Sequence, residues 1–261
     1  MARQRAIPVG PRLTGVHATV WAEADRERPS GRTLYVDGFA SSYVDLEDPT
    51  YLRYGYMRHL AAFLDALPPG GLDVVHLGGG ACTLARYLAA TRPGSRNLVV
   101  EHDELVVRVA RESLGLRSGA GLQVKVGEGR ERLARRPDAS ADAVVVDAFV
   151  GPSVPPSLLT VEFLADVRRV LRPGGLYLAN LADDPPLPVA RALAAGLLAT
   201  FRDAALVADR EAGDNLVFAA GRRVPLDVVR ERLAREGLRQ RLHSRAHLVG
   251  LAAGARPARD A

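Results

Sequence analysis

An apolar run followed by three glycines, within Leu72–Cys82, constrains this chain more than any other feature of its sequence. The run ends at Leu77, and an apolar pattern with helical spacing begins at Ala81. The stretch predicts a buried strand, a tight turn and a helix N-terminus. Glycine suits such a turn because the backbone bends sharply and can approach a ligand without a Cβ in the way. The helix behind it offers free N–H groups and a partial positive charge.

An acidic residue follows this turn at the distance expected of a ribose-binding acid. Glu101 ends the next apolar run, about 20 residues beyond the last glycine. A carboxylate there can accept hydrogen bonds from both hydroxyls of a ribose. The glycines Gly78, Gly79 and Gly80 together with Glu101 therefore predict a nucleoside site.

Strand and helix patterns alternate after residue 71, which predicts a parallel sheet with helices on both faces. The last two strands have no helix between them and predict an antiparallel hairpin at one edge. We therefore expect an α/β fold with a doubly wound, seven-stranded, mostly parallel sheet. It is Rossmann-like, and it fits the class I methyltransferase type better than a dinucleotide dehydrogenase. The predicted strands are 72–77, 97–101, 121–126, 142–147, 175–181, 204–209 and 215–220, and the helices between them are 81–91, 103–114, 128–135, 159–171 and 187–200.

The pattern divides the chain into four parts. Residues 1–12 are expected to be disordered, and 13–48 to form a small β lobe of three short strands. Residues 49–222 form the predicted Rossmann-like nucleoside-binding domain, which opens with a helix capped by Asp48 and ending near residue 67. Residues 223–261 are expected to be a helical appendage with two surface helices and a loose tail.

Composition argues against several function classes. The net charge is +5, but Lys125 is the only lysine and arginines are spread along the chain, so we expect no nucleic-acid partner. No apolar run approaches the roughly 18 residues of a membrane span. The N-terminus lacks the apolar region of a secretion signal, and the single cysteine, Cys82, excludes an intramolecular disulfide. These features predict a cytoplasmic protein without a membrane partner.

Acidic residues follow most of the predicted parallel strands, where ligands gather in such sheets. Asp147 ends the very apolar run 143–146, so it is predicted to be a general base, with loop capping as the structural alternative. Glu128, between two glycines, is predicted either to accept from an adenine amine or to be a first-turn helix charge. His76 and Cys82 are expected to be a packed, hydrogen-bonded histidine and a small buried filler.

With these residues placed, the chain resembles the spermidine synthase family of aminopropyltransferases over roughly residues 33–220. The resemblance rests on Tyr35–Gly38, the Tyr54 region, the three glycines, Val100-Glu101, Gly127–Gly129, Asp147, Glu162-Phe163 and Leu171–Gly175.

The resemblance implies a role for each site residue. Glu101 would hold the ribose, Glu128 the adenine amine, and Asp147 would contact the nucleoside and deprotonate the attacking amine. Tyr54 would line the acceptor site. The remaining implied nucleoside contacts are Gly78, Gly79, Gly80, Gly129 and Ser41, the last replacing a glutamine. The resemblance also implies S-adenosylmethionine or its decarboxylated form as co-substrate, no metal, a small-molecule acceptor and a homodimer.

Two further departures from the family pattern affect the implied substrate. Ala81 replaces the aspartate that contacts the aminopropyl amine, and Val150 replaces a second, amine-binding aspartate. A charge-assisted hydrogen bond contributes about 1.5–3 kcal/mol, or about ten- to a hundredfold in affinity. Nucleoside binding is expected to survive these changes and putrescine recognition to be lost. They favour methyl transfer over aminopropyl transfer.

Two other hypotheses compete with this transferase. The altered acceptor loop favours a non-catalytic nucleoside-binding or scaffold protein that kept the fold. A nicotinamide-dependent reductase is a third hypothesis. Cys82, which stands where a last glycine would be, and the terminal hairpin argue against it.

Overall fold

The computed structural model of the chain describes residues 7–16, 18–119, 121–209, 215–238 and 240–260. An antiparallel sheet comes first, and a larger mixed sheet with helices on both faces follows. The strands are β1 Pro8–Thr14, β2 Thr19–Ala24, β3 Gly31–Val36, β4 Phe39–Asp45, β5 Asp73–Leu77, β6 Arg96–Glu101, β7 Leu122–Val126, β8 Ala141–Val146, β9 Leu171–Ala182, β10 Asp203–Asp209, β11 Asn215–Gly221 and β12 Gln240–His243. The helices are α1 Gly55–Asp65, α2 Thr83–Thr91, α3 Glu104–Ser113, α4 Gly129–Ala134, α5 Val161–Val170, α6 Pro188–Thr200, α7 Leu226–Arg235 and α8 Arg245–Leu251, with a short 3₁₀ turn at Pro156–Leu158.

The larger sheet confirms the α/β prediction but has one strand more than expected. Its order is β12-β10-β11-β9-β8-β5-β6-β7. The last five strands in this order, which start with β9, are parallel to one another. At the other end, β11 is antiparallel to β9, β10 to β11, and β12 to β10. The prediction of seven strands was wrong because β12 lies within residues 223–261, expected to be helical. This strand has only four residues and no clear alternation, so it gives a weak sequence signal.

The N-terminal lobe is a four-stranded meander and begins earlier than predicted. Residues 8–12, expected to be disordered, belong to β1, while residues 1–6 lie outside the described part of the chain. Prolines make β1 look irregular in sequence, and its pairing with β2 contains a register shift; an edge strand tolerates both. One face of the lobe packs its Val20, Leu34 and Val44 against the main domain.

Two other boundaries differ from expectation. The helix predicted from residue 49 begins at Gly55, and Asp48 instead accepts from the amide of Thr50 in the preceding loop. The C-terminal tail, expected to be loose, docks on the main domain: the amide of Val161 donates to the carbonyl of Ala258, and Arg130 pairs with Asp260. No helix in the described ranges is both long and apolar enough to cross a bilayer.

Candidate functional site

Strand register brings the predicted site residues to one edge of the large sheet. Leu77 lies beside Val146 on one side and Val100 on the other, while Val146 lies beside Ala179. The residues that follow these four therefore form a row: Asn180, Asp147, Gly78 and Glu101. The carboxyl ends of parallel strands are where ligands bind in such sheets.

Gly78 is required by the close approach of two strand ends. Its φ is +91°, and a Cβ there would lie 2.1 Å from the carbonyl oxygen of Asp147. The amide of Asp147 donates to the carbonyl of Leu77 at 2.9 Å, which fixes this approach. A side chain at position 78 would therefore push the predicted base away from the glycine turn.

Glu101 is a buried carboxylate that holds the glycine turn. Its Oε2 accepts from the amides of Gly79 at 2.8 Å and Gly80 at 3.2 Å, and its Oε1 accepts from the amide of Asp103 at 3.1 Å. His102 Nδ1 lies 3.1 Å from the same Oε1. Burial acts to raise the pKa of Glu101, but the bonds from His102 and the three amides outweigh it and lower that pKa. An ionised carboxylate therefore lies directly beneath the turn.

Asp147 is held by one side-chain donor and is poised to take up a proton near neutral pH. The Nδ2 of Asn180 donates to its Oδ1 at 2.9 Å. Burial raises the pKa of Asp147 to about 6, and repulsion from Glu101 adds to the rise, while Asn180 and the nearby phenol of Tyr56 oppose it. The two carboxylates therefore share one region, and Asp147 suits a general base.

Tyr54, predicted to line the acceptor site, lies one ring away from Asp147. It is the N-cap residue of α1, and its ring stacks on that of Tyr56 with centroids 6.0 Å apart and planes 9° from parallel. Its hydroxyl lies 3.5 Å from the carbonyl oxygen of Ala40 in β4. The phenol of Tyr56 is close enough to Asp147 to oppose the rise in the pKa of that carboxyl.

The neighbour of Ser41, not Ser41 itself, reaches the glycine turn. Ser41 is exposed, and its hydroxyl donates to the carbonyl of Phe39 within the same strand. Ser42 is buried, and its Oγ accepts from the amide of Ala81 at 3.3 Å and lies 3.2 Å from Oγ1 of Thr83. Successive residues of a strand face opposite sides, which separates the two serines.

Glu128 and Gly129 lie on the Glu101 side of the row. Glu128 is exposed and is the N-cap residue of α4, but its side chain makes no capping bond. The hydrogen bond to Glu101 raises the pKa of His102, and Glu128 adds a smaller electrostatic contribution, so all three lie near one another. A Cβ on Gly129 would lie 3.3 Å from Leu77, so this glycine packs against the end of β5.

His76 and Cys82 line a small cavity beneath the turn, together with Asp147 and Thr83. His76 Nε2 bonds to Oδ1 of Asn97 at 3.0 Å, and burial lowers the pKa of the histidine to about 4. Burial raises the pKa of the Cys82 thiol to about 12, which leaves it unreactive. Both residues are therefore packed as predicted.

The positions that carry acids in the resembling family carry no charge here. Ala81 is fully buried, and Val150 is 61% exposed in the loop after β8. The fold and the row of polar residues together define a protein of the α/β class whose candidate site lies at the carboxyl ends of its central parallel strands.

Comparisons with known proteins agree with this class. No family model matches the chain. The polyamine aminopropyltransferase of Halorhodospira halophila is 32% identical over 160 residues, 59% of this chain and 55% of that protein. The corresponding enzyme of Chromobacterium violaceum is 30% identical over 145 residues, 53% of each chain. The chain thus spans about half the length of the curated relatives it matches.

Solved structures extend the similarity to nearly the whole chain. A probable spermidine synthase from Corynebacterium glutamicum superposes with a TM-score of 0.88 and 29% identity over 97% of both chains. Human methyltransferase-like protein 13, solved with SAH, shares the fold at a TM-score of 0.60 and 22% identity, over 70% of this chain and 91% of that one. The chain is thus similar to members of the spermidine synthase family, and it has a class I methyltransferase-like fold.

Proposed function

We propose that this chain is a spermidine-synthase-like transferase that moves an alkyl group from an adenosyl sulfonium donor to a small nucleophilic acceptor. The observation that supports it best is the placement of Asp147. Its carboxylate follows the end of β8, bonded to Asn180 and next to the glycine turn and Glu101. A base with a pKa of about 6 is ionised at neutral pH and can still accept a proton.

The residues along the sheet edge fit an adenosine. In the proposal Glu101 holds the ribose, Glu128 accepts from the adenine amine, and the glycine turn lets the nucleoside approach the backbone. The Glu101 carboxylate already accepts four hydrogen bonds, about its full capacity. A ribose hydroxyl therefore has to share or replace one of them, and His102, which is partly exposed, is the partner most easily displaced.

The donor would supply a carbon made electrophilic by the positive sulfur, and the products would be a neutral thioether and the alkylated acceptor. The chain's part is to hold the acceptor and take its proton. Asp147 accepts that proton, and Asn180 keeps its carboxylate in place. Positioning of the two substrates accounts for most of the expected acceleration.

Within this proposal we favour methyl transfer over aminopropyl transfer. Ala81 and Val150 offer no carboxylate to an aminopropyl amine or a polyamine, and a buried ammonium needs such a partner. The names of the curated relatives point the other way, towards decarboxylated S-adenosylmethionine and a polyamine acceptor. The affinities of the chain for the two donors are therefore the quantities to measure. A homodimer, which sedimentation would test, is a further part of the proposal, supported by family likeness alone.

Calorimetry with S-adenosylmethionine, its decarboxylated form and methylthioadenosine tests the proposal. We expect all three to bind, with S-adenosylmethionine at least as tight as the decarboxylated donor. Tighter binding of the decarboxylated donor together with turnover of putrescine would overturn the methyl version. Binding without any product from a panel of amines and alcohols would favour the alternative, a non-catalytic nucleoside-binding or scaffold protein.

A further inference from the structure

Helix α4 begins with Glu128 as its N-cap residue, and it is too short to hold its own position. It has six residues, and Leu133 is the residue that it buries. Helices of this length are marginal by themselves and depend on tertiary contacts. The last turn has such a contact, because Arg169 of α5 donates to the carbonyl of Ala134 at 3.0 Å. The first turn, where Glu128 lies, therefore needs an anchor of its own.

Arg130 supplies that anchor from the first turn of α4. Its guanidinium bonds to both carboxylate oxygens of Asp260, with Nη1 2.7 Å from Oδ1. The same Nη1 donates to the carbonyl of Ser157 at 3.2 Å. Ser157 lies in the 3₁₀ turn of the loop that leads from Asp147 to α5. Paired bonds between arginine and carboxylate are strong and directional, so this one side chain joins three segments of the chain.

Asp260 is a fixed partner because the tail that carries it is bonded to the start of α5. The amide of Val161 donates to the carbonyl of Ala258 at 3.0 Å, and the amide of Asp260 donates to Oε2 of Glu162 at 3.1 Å. Arg259 lies 3.3 Å from the other carboxylate oxygen of Glu162. These bonds seat the tail beside α4, with its last described carboxylate facing Arg130.

The Arg130–Asp260 pair differs from an ordinary surface ion pair, which contributes little. Asp227 and Arg230 of α7 form such an ordinary pair: they lie three residues apart on one helix, share one contact of 2.7 Å, and the Asp227 side chain is 89% exposed. Arg130 and Asp260 lie 130 positions apart, and their side chains are 28% and 40% exposed. Breaking this pair therefore separates two segments of the fold instead of two neighbours on a helix.

We propose that Arg130 is a positioning residue: through Asp260 and Ser157 it fixes the first turn of α4 and the loop that follows Asp147. Glu128 directly precedes this turn, so a shift of the turn moves the proposed partner of the adenine amine. The inference rests on the proposed function only for that role of Glu128. The anchoring itself concerns contacts within the chain and is measured without any substrate.

Amide hydrogen exchange of the full chain, followed by NMR, tests the anchoring. The amide of Arg132 donates to the carbonyl of Glu128 at 3.1 Å, so its exchange reports opening of the first turn of α4. In Asp260→Asn we expect this amide to exchange about three- to tenfold faster than in the parent, because the turn has lost its charged partner. Asp227→Asn is the matched control and should leave the rate unchanged. Unchanged exchange of Arg132 in Asp260→Asn would overturn the inference.

A second variant tests the geometry of the pair and not its charge. Arg130→Lys keeps the positive charge but loses the planar fork that reaches Asp260 and Ser157 together. The amide of Leu158 donates to the carbonyl of Pro155 at 2.9 Å, so it reports on the 3₁₀ turn of the loop. We expect it to exchange about three- to tenfold faster in Arg130→Lys. An unchanged rate would overturn the part of the inference that concerns the loop.

Nucleoside binding links the anchor to Glu128. Calorimetry compares methylthioadenosine with an analogue whose purine ring lacks the exocyclic amine. Because Arg130 acts through Glu128, we expect Asp260→Asn to bind methylthioadenosine about three- to tenfold more weakly than the parent and to bind the analogue equally well. Equal losses for the two nucleosides would indicate general damage and contradict a positioning role.

The inference and the proposed function fail separately. If exchange of Arg132 rises in Asp260→Asn but the parent binds neither nucleoside, the anchor stands and the proposed function fails. If the parent binds and turns over a donor while exchange of Arg132 is the same in Asp260→Asn, the anchor fails and the proposed function stands.

Discussion

The Glu101 side and the Asp147 side of the sheet edge are built differently. Glu101 has four hydrogen-bond partners, three of them backbone amides, and its pKa is lowered. Asp147 accepts a hydrogen bond from one side chain, that of Asn180, and its pKa is raised to about 6. The pKa values of two carboxylates that flank one glycine are thus shifted in opposite directions. The first is suited to hold a ligand as a permanent anion, and the second is suited to exchange a proton.

The largest effect should come from removing the base. Asp147→Asn keeps a hydrogen-bonding side chain of the same size but cannot accept a proton, so we expect turnover to fall about 10²–10⁴-fold. Donor affinity by calorimetry should change little. Equal losses of affinity and turnover would show that Asp147, like Glu101, acts in binding the donor and not as the base.

Removing the other carboxylate should affect binding first. Glu101→Gln loses charge-assisted bonds to the glycine turn and to the proposed ribose, so donor affinity should fall about ten- to a hundredfold. The measurement is calorimetry with methylthioadenosine. Glu104→Gln, an exposed acid in the first turn of α3, is the matched control and should leave affinity unchanged. Unchanged affinity in Glu101→Gln would show that its role is confined to the turn.

The raised pKa of Asp147 also predicts a stability cost. The folded chain binds a proton at Asp147 up to about pH 6, whereas the unfolded carboxyl loses it near its ordinary value of 3.8. This group's contribution therefore favours folding below pH 3.8 and is lost as the pH rises through about 6. Asp147→Asn removes that penalty, so at pH 8 its free energy of unfolding should exceed that of the parent by about 1–3 kcal/mol. Denaturant unfolding at pH 8 measures it, and a less stable variant would contradict the raised pKa.

Restoring an acid in the acceptor loop sharpens the substrate question. Val150→Asp places a carboxylate at an exposed position where the resembling family carries one. We expect putrescine turnover with decarboxylated S-adenosylmethionine to rise about tenfold, because one charge-assisted contact is regained. Val150→Asn is the uncharged control. Strong putrescine turnover by the parent chain would show that the missing acid is not needed.

The smallest effect concerns the helix behind the turn. Cys82 has a left-handed backbone, with φ +58°, which costs a residue with a Cβ about 1–2 kcal/mol relative to glycine. Cys82→Gly and Cys82→Ala both remove the thiol, so their difference isolates this strain. We expect the glycine variant to be more stable to denaturant by about 1 kcal/mol. Equal stabilities would show that the turn relaxes around the side chain.

Much of the fold and of the site row could be predicted from sequence, because strong periodicity placed the central strands. Once β5, β6 and β8 are placed, the residues at their carboxyl ends are known, which is why Gly78, Glu101 and Asp147 could be predicted to lie together. The proximity of Tyr56 to Asp147 was not predicted, since it depends on where α1 begins and the prediction started that helix six residues too early. Asn180 was visible as a polar residue in an apolar strand, but its partner depends on the β8–β9 register.

The two serines show a second limit. A one-residue alternation along β4 decides whether Ser41 or Ser42 faces the turn, and family resemblance pointed to the exposed one. Strands β1 and β12 escaped prediction because edge strands tolerate prolines and short length. Such details are decided by tertiary packing and not by local pattern.

A crystal structure with methylthioadenosine bound tests the central claim most directly. We predict that the ribose hydroxyls lie within hydrogen-bond distance of the Glu101 carboxylate, the adenine amine lies near Glu128, and the sulfur faces Asp147. A nucleoside bound elsewhere, or one whose sulfur points away from Asp147 while Glu101 keeps all four of its present partners, would contradict the account.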